Sequence, residues 1–242
     1  MKLKGKNVAI LMTDGVEDSE FRVPYKKLVD EGANVHVISP SGKEVKTWKG
    51  HQWGEAVSCD KKLSEVKASD YDALVLPGGV MNPDALRMDK DAVAFAKHFM
   101  QESKPIAAIC HGPWLLIETG MLQDKNMTSW PSLKTDLTNA GAKWEDKEVV
   151  VDNGLVTSRK PDDLDAFCEK MVEEIVEEIV EGCMLNLIKH GGHGEHKETT
   201  KNSMGSLCTQ CSLCLSDQSY CLIILPSSIS ITLCVFSANS GS

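Results

Sequence analysis

The chain has 242 residues, 42% of them hydrophobic and 25% charged, with a net charge of -9. That length supports one good-sized core or two small ones, and the composition is ordinary for a globular protein. An acidic balance with no cluster of Lys and Arg excludes a nucleic-acid footprint and suits solubility instead.

The amino-terminal run MKLKGKNVAILMTDG begins basic, but its apolar stretch is short and leads straight into acidic residues. It reads as the first strand of a folded domain rather than a targeting signal, so a cytoplasmic protein with no membrane partner is expected. Helix SEFRVPYKKLVDEG follows, ending at Gly32, and then strand NVHVIS. The polar stretch from Val45 to Val57 alternates weakly and is expected to be a hairpin excursion. DALVLPGG is a second buried strand closed by a glycine pair, and DAVAFAKHFMQES an amphipathic helix. PIAAIC is the third buried strand, and GPWLLIETG opens the helix behind it. Short apolar runs bounded by polar residues suit a parallel sheet covered on both faces.

After a mixed stretch, EVVVD and LVTS read as a strand pair around Asn153-Gly154, a favoured hairpin turn. In the last helix Leu164, Phe167, Cys168, Met171, Val172, Ile175, Val176 and Ile179 form one stripe, with Pro161 at its start and Gly182 as its expected end. Alternating strands and helices predict a three-layer α/β/α sandwich with a mostly parallel sheet over residues 1–181.

Composition changes near Gly182. Residues 182–242 hold 6 charged residues in 61, against 55 in the preceding 181. Six of the nine cysteines also fall in this tail; Cys59, Cys110 and Cys168 are scattered through the body, as in a reduced intracellular protein. In the tail His190, His193 and His196 sit three apart, as do Cys208, Cys211 and Cys214. That spacing resembles part of a zinc or iron–sulfur site, but the fourth cysteine of a ferredoxin-like run is missing. The preferred expectation is a Cys- and Ser-rich tail of low order that binds no metal.

The string A-I-C-H-G, residues 108–112, carries the chemistry. Small residues two before and two after a nucleophile permit a tight strand-to-helix turn that lifts its side chain above the sheet. Ala108 and Gly112 flank Cys110 in this way, and the helix N-terminus expected behind it would favour a thiolate. A buried inert thiol has no use for those neighbours. His111 adjoins Cys110 but need not point at it. At the same carboxyl edge lie the loop T-D-G-V-E-D (13–18) and P-G-G (77–79). The amides of Gly78 and Gly79 suit an oxyanion hole, or simply a turn. Glu17 is positioned to share a proton with the thiol, or to be solvated like most acidic loop residues.

Taken together, T-D-G-V-E-D-S-E-F, A-L-V-L-P-G-G, A-I-C-H-G-P, N-A-G-A-K-W, E-V-V-V-D and L-V-T-S-R-K-P-D-D-L resemble, in order, the ThiJ/PfpI family of the class I glutamine amidotransferase-like superfamily, in its PfpI branch. The resemblance covers about residues 5–180. It implies a flavodoxin-like sandwich with Cys110 as nucleophile, His111 beside it and Glu17 under the thiol. It also implies that Asp84 of a neighbouring subunit orients the histidine, and hence a homodimer or homohexamer. Where relatives often carry Tyr in T-S-Y-P, this chain has Trp130 in Thr128-Ser129-Trp130-Pro131, and Trp donates a hydrogen bond but accepts none. Trp114 and Trp130 are candidates to line the pocket.

The activities implied are glutathione-independent glyoxalase III or deglycase action, with intracellular cysteine peptidase as the alternative and a redox-sensing chaperone as the second. A thiolate adding to methylglyoxal or glyoxal forms a hemithioacetal; proton transfer between the two carbons and hydrolysis then release lactate or glycolate. A small aldehyde or glycated substrate is the expected partner, with no cofactor.

Overall fold

A computed structural model describes residues 1–191, 220–223 and 232–235 of the chain, with side chains described as far as Glu177. The chain divides into two compact units, Met1–Glu181 and Gly182–Ser242. In the first, β1 (Asn7–Leu11) leads through the two-residue β2 (Val16–Glu17) into α1 (Asp18–Asp30) and β3 (Asn34–Ser39). The hairpin of β4 (Val45–Lys49) and β5 (Gln52–Val57) follows, then β6 (Lys61–Lys62) and β7 (Ala73–Leu76). Helices α2 (Met81–Met88) and α3 (Lys90–Gln101) precede β8 (Ile106–Ile109) and the single turn of α4 (Trp114–Ile117). The stretch that carried no clear pattern folds as β9 (Asn126–Met127), α5 (Lys134–Asn139) and β10 (Lys143–Trp144). β11 (Val149–Asp152), β12 (Leu155–Ser158) and α6 (Leu164–Gly191) follow. In the second unit β13 (Tyr220–Ile223) pairs antiparallel with β14 (Thr232–Val235). The histidine and cysteine triplets of the tail lie outside the described residues, except that α6 includes His190.

Seven strands form the central sheet in the order β11-β12-β8-β7-β1-β3-β6. Every neighbouring pair is parallel except β11 with β12, which closes the edge as a hairpin. Its turn residues Asn153 and Gly154 both have positive φ, 49° and 81°, the conformation a two-residue type I′ loop demands.

The sheet is covered on both faces, and strand alternation sorts the core. Ala9, Leu11, Leu74, Leu76, Ile106 and Ala108 pack with Phe95 and Phe99 of α3, Leu115 and Leu116 of α4 and Leu137 of α5. Val8, Ile10, Val75, Ala107 and Ile109 face the other way, onto Phe21 and Leu28 of α1 and Phe167, Met171, Val172 and Ile175 of α6. Successive side chains on a strand point to opposite faces, so an unbroken apolar run serves both layers. The result is the flavodoxin-like α/β/α sandwich.

One boundary differs from expectation. Gly182 does not end the last helix, which runs on to Gly191. Glycine inside a helix costs only about 1 kcal/mol relative to alanine, and the residues after it, Cys183-Met184-Leu185, carry no breaker. No helix among the described residues is long and apolar enough to cross a membrane.

The topology places the site. From β1 the chain moves through α1 to β3 on one side, while β7 and β8 lie on the other. Strand order therefore reverses at β1, and the loops leaving the carboxyl ends of β1, β7 and β8 open into the same crevice.

Candidate active site

Cys110 directly follows β8 and has φ of +62°, a left-handed conformation uncommon for any residue other than glycine. Such a conformation costs on the order of 1–3 kcal/mol and persists only where its surroundings enforce it. Here they do. The Cys110 amide donates to the carbonyl of Ser158 at 2.9 Å, its carbonyl accepts from Trp130 N at 2.8 Å, and Gly112 N closes the turn onto Ile109 O at 2.8 Å. A Cβ on Gly112 would collide with the carbonyl of Leu76, so the elbow requires glycine there.

The carboxyl beside the thiol belongs to Glu20, not Glu17. Glu20 is fully buried in the first turn of α1. Its Oε2 accepts from the Gly78 amide at 3.0 Å, and its carboxyl is within hydrogen-bonding reach of the Cys110 sulfur. Glu17 is half-buried at the N-cap, where β2 pairs it with Trp48 of β4 and Ser19 Oγ donates to it at 3.5 Å. The reason is helical geometry. Glu20, Pro24 and Leu28 are spaced i, i+4, i+8 along the buried face of α1, whereas Glu17 precedes the helix. Burial is the main cause that pushes Glu17 up; for Glu20 burial raises the carboxyl to about 8, with the Glu17 charge adding to it. At neutral pH Glu20 is therefore mostly protonated and able to donate.

Gly78 gives its amide to Glu20, which removes it from the expected oxyanion hole. A Cβ there would stand 2.8 Å from the Cβ of Cys110, so glycine is what lets the carboxyl and the thiol close on this loop. The amides that favour a charge on the Cys110 sulfur are those of His111 and Gly79, and the Gly79 amide favours a charge on the Glu20 carboxyl as well.

The resting thiolate expected from a helix N-terminus is also corrected. Helix α4 has only four residues, too few to build a macrodipole of any size. Burial dominates: Cys110 is 7% exposed, and desolvation pushes the thiol well up, with the charge of Glu20 adding to it once that carboxyl is ionised. A base must take its proton. His111 Nδ1 lies 3.2 Å from Sγ, and burial lowers the histidine, leaving a neutral ring able to accept.

The two tryptophans flank this imidazole. Trp130 stacks on it at 5.9 Å with an interplanar angle of 24°, and Trp114 tilts against it at 6.4 Å. Trp114 is itself held by a 3.1 Å bond from Nε1 to Asp136 Oδ2 and by the Arg87 guanidinium 4.7 Å from its ring centroid. Asp84 stands exposed in the first turn of α2, where its side chain makes no hydrogen bond or ion pair with any described residue. It is not brought to His111 within the chain.

The profile of the DJ-1/PfpI family matches residues 6–174, nearly all of this sandwich. The chain belongs to the DJ-1/PfpI family. It is 49% identical over 163 residues to a Bacillus subtilis protein named "Putative cysteine protease YraA", a match covering 67% of this chain and 94% of that one. It is 45% identical over 164 residues to the Escherichia coli "Protein/nucleic acid deglycase 2", covering 67% and 93% respectively. Among solved structures it resembles Drosophila melanogaster DJ-1beta, with 31% identity and a TM-score of 0.64, over 74% of this chain and 97% of that one. This family of cysteine-centred enzymes thus includes relatives named for deglycation and for proteolysis.

Proposed function

We propose that the chain is a cysteine-dependent enzyme acting on reactive α-oxoaldehydes, converting methylglyoxal to lactate without glutathione, and on early glycation adducts. The observation that carries this reading is the placement of two proton-transfer groups against one thiol, Glu20 and His111, each within hydrogen-bonding reach of Sγ. His111 Nδ1 takes the thiol proton and the sulfur adds to the aldehyde carbon. Protonated Glu20 donates to the new alkoxide, and the Gly79 and His111 amides steady its charge. Glu20, now a carboxylate, removes the hydrogen from C1 and returns it to C2; the His111 imidazolium gives its proton to the C2 oxygen and Glu20 takes back the hydroxyl proton of C1, which leaves a lactoyl thioester on Cys110. Water cleaves the thioester, releasing lactate and restoring the thiol.

Access favours a small substrate over a peptide. The thiol is 7% exposed, behind the imidazole and its tryptophan neighbours, and the glycine loop leaves no room for a Cβ beside it. The protease name of one relative supports the peptidase alternative, which an extended substrate would have to satisfy through this narrow approach. A homo-oligomer remains part of the proposal, with the unpaired Asp84 presented to a second copy. The test supplies methylglyoxal without glutathione and follows lactate. Turnover lost in Cys110→Ser supports the reading; turnover unchanged in that variant would remove Cys110 from the reaction.

A further inference from the structure

His111 has a second ring nitrogen, and it too has a neighbour. Nε2 lies 3.4 Å from Oγ of Ser132, a residue of the same chain 21 positions away. The serine is held there by its loop. Trp130 N is tied to the Cys110 carbonyl at 2.8 Å, and the Ser129 hydroxyl donates to the Trp130 carbonyl at 2.9 Å. Trp144 Nε1 donates to that same hydroxyl at 2.9 Å, and Pro131–Leu133 form a single 3₁₀ turn closed by Leu133 N onto Trp130 O at 3.0 Å. Trp130 thus lays its ring on the imidazole while the next turn brings Ser132 to the ring's far edge.

A neutral imidazole carries one hydrogen, on either nitrogen, and whichever nitrogen lacks it is the base. The partner of Nε2 therefore decides what Nδ1 offers to the thiol. We propose that Ser132 is the positioning residue of this site: its hydroxyl accepts the Nε2–H of His111, so that Nδ1 presents its lone pair to Cys110. When the proton moves from Sγ to Nδ1, the S–H bond breaks and an N–H bond forms. The products are a thiolate and an imidazolium whose Nε2–H remains bonded to the serine oxygen. Ser132 is exposed and keeps its own hydrogen to donate outward, to water or to a carboxylate of a second copy. A chain of Cys110, His111 and Ser132 is thereby complete in one subunit. The inference rests on Cys110 being the nucleophile of the reaction proposed above.

Three measurements on the full chain test it, two of which need no substrate. Nitrogen-15 spectra of His111 report the tautomer; the pH dependence of Cys110 alkylation by iodoacetamide, mapped by peptide mass, reports the base; and methylglyoxal turnover reports the consequence. The wild type is expected to show the Nε2–H tautomer. Ser132→Ala is expected to mix the tautomers, displace the alkylation profile and lower kcat about fivefold or more with KM little changed. Ser132→Thr, which keeps the hydroxyl, is expected to restore all three. An Nδ1–H tautomer in the wild type, or Ser132→Ala indistinguishable from it in tautomer and alkylation profile, would overturn the proposal. If methylglyoxal is not consumed at all, the substrate reading fails while the first two measurements still decide the role of Ser132.

Discussion

Gly78 and Glu20, 58 residues apart in the chain, are joined by a 3.0 Å hydrogen bond from the glycine amide to a carboxyl oxygen. That bond aims the same carboxyl at the Cys110 thiol, so the loop after β7 sets the acid of the site. Glu20→Gln keeps an acceptor for the amide but cannot pass a proton, whereas Glu20→Ala leaves the amide buried and unpaired. The glutamine variant is expected to fold normally and lose about 100-fold or more in turnover. The alanine variant is expected to lose the same activity and a further 1–3 kcal/mol or so of stability, measured by urea unfolding.

The pH dependence of stability follows from the same carboxyl. Its folded value, about 8, stands above the ordinary 4.5. The folded state therefore holds a proton that the unfolded chain releases earlier. Any stability contributed by this group is fully present below pH 4.5 and is lost as pH rises through about 8. Across that window the loss is on the order of 5 kcal/mol, from about 1.4 kcal/mol per unit. His111, lowered by burial, acts at the other end, because the folded state resists the charge it gains in acid. Comparing wild type with Glu20→Gln isolates the carboxyl: the difference between their unfolding free energies should change steadily from pH 5 to pH 8, in favour of the glutamine variant. A difference independent of pH would show that Glu20 is ionised in the folded protein.

The elbow makes a steric prediction. Gly112→Ala sets a methyl group against the Leu76 carbonyl, which is backbone in the middle of the sheet and cannot swing aside. A destabilisation of about 3 kcal/mol or more is expected, with loss of the Cys110 geometry even in protein that folds. Thermal unfolding and iodoacetamide labelling of the purified variant measure the two effects.

What could be read from the chain and what could not separate on physical lines. The buried strands β1, β7 and β8 were legible because a strand covered on both faces must be apolar throughout. The Asn153-Gly154 turn was legible because few residue pairs tolerate two positive φ values. Cys110 announced itself through Ala108 and Gly112. Glu17 and Glu20 could not be told apart by type, since both are acidic and both precede Phe21. The distinguishing signal was Glu20 lying on the helix face of Pro24 and Leu28, where a charge has no business unless paired. Ser132 had no such signal: its approach to His111 depends on a loop fixed by Trp144 and by the carbonyl of Cys110, contacts that spacing does not encode.

Trp130 yields a prediction that separates shielding from chemistry. Its ring covers one face of His111, and burial is the cause that lowers the histidine. Trp130→Ala admits water to that face, so the imidazolium becomes easier to form and the histidine should move up towards its ordinary 6.5. Trp130→Phe keeps a stacking ring without the indole N–H and should leave the titration where it is. Proton spectra of the His111 ring across pH 4–8 would measure both. An upward shift in the alanine variant alone assigns the effect to desolvation, whereas equal shifts in both variants would assign it to the indole N–H. With the histidine raised, less of the neutral base is present near pH 6, so the acid limb of the turnover profile should move up in step with the ring titration.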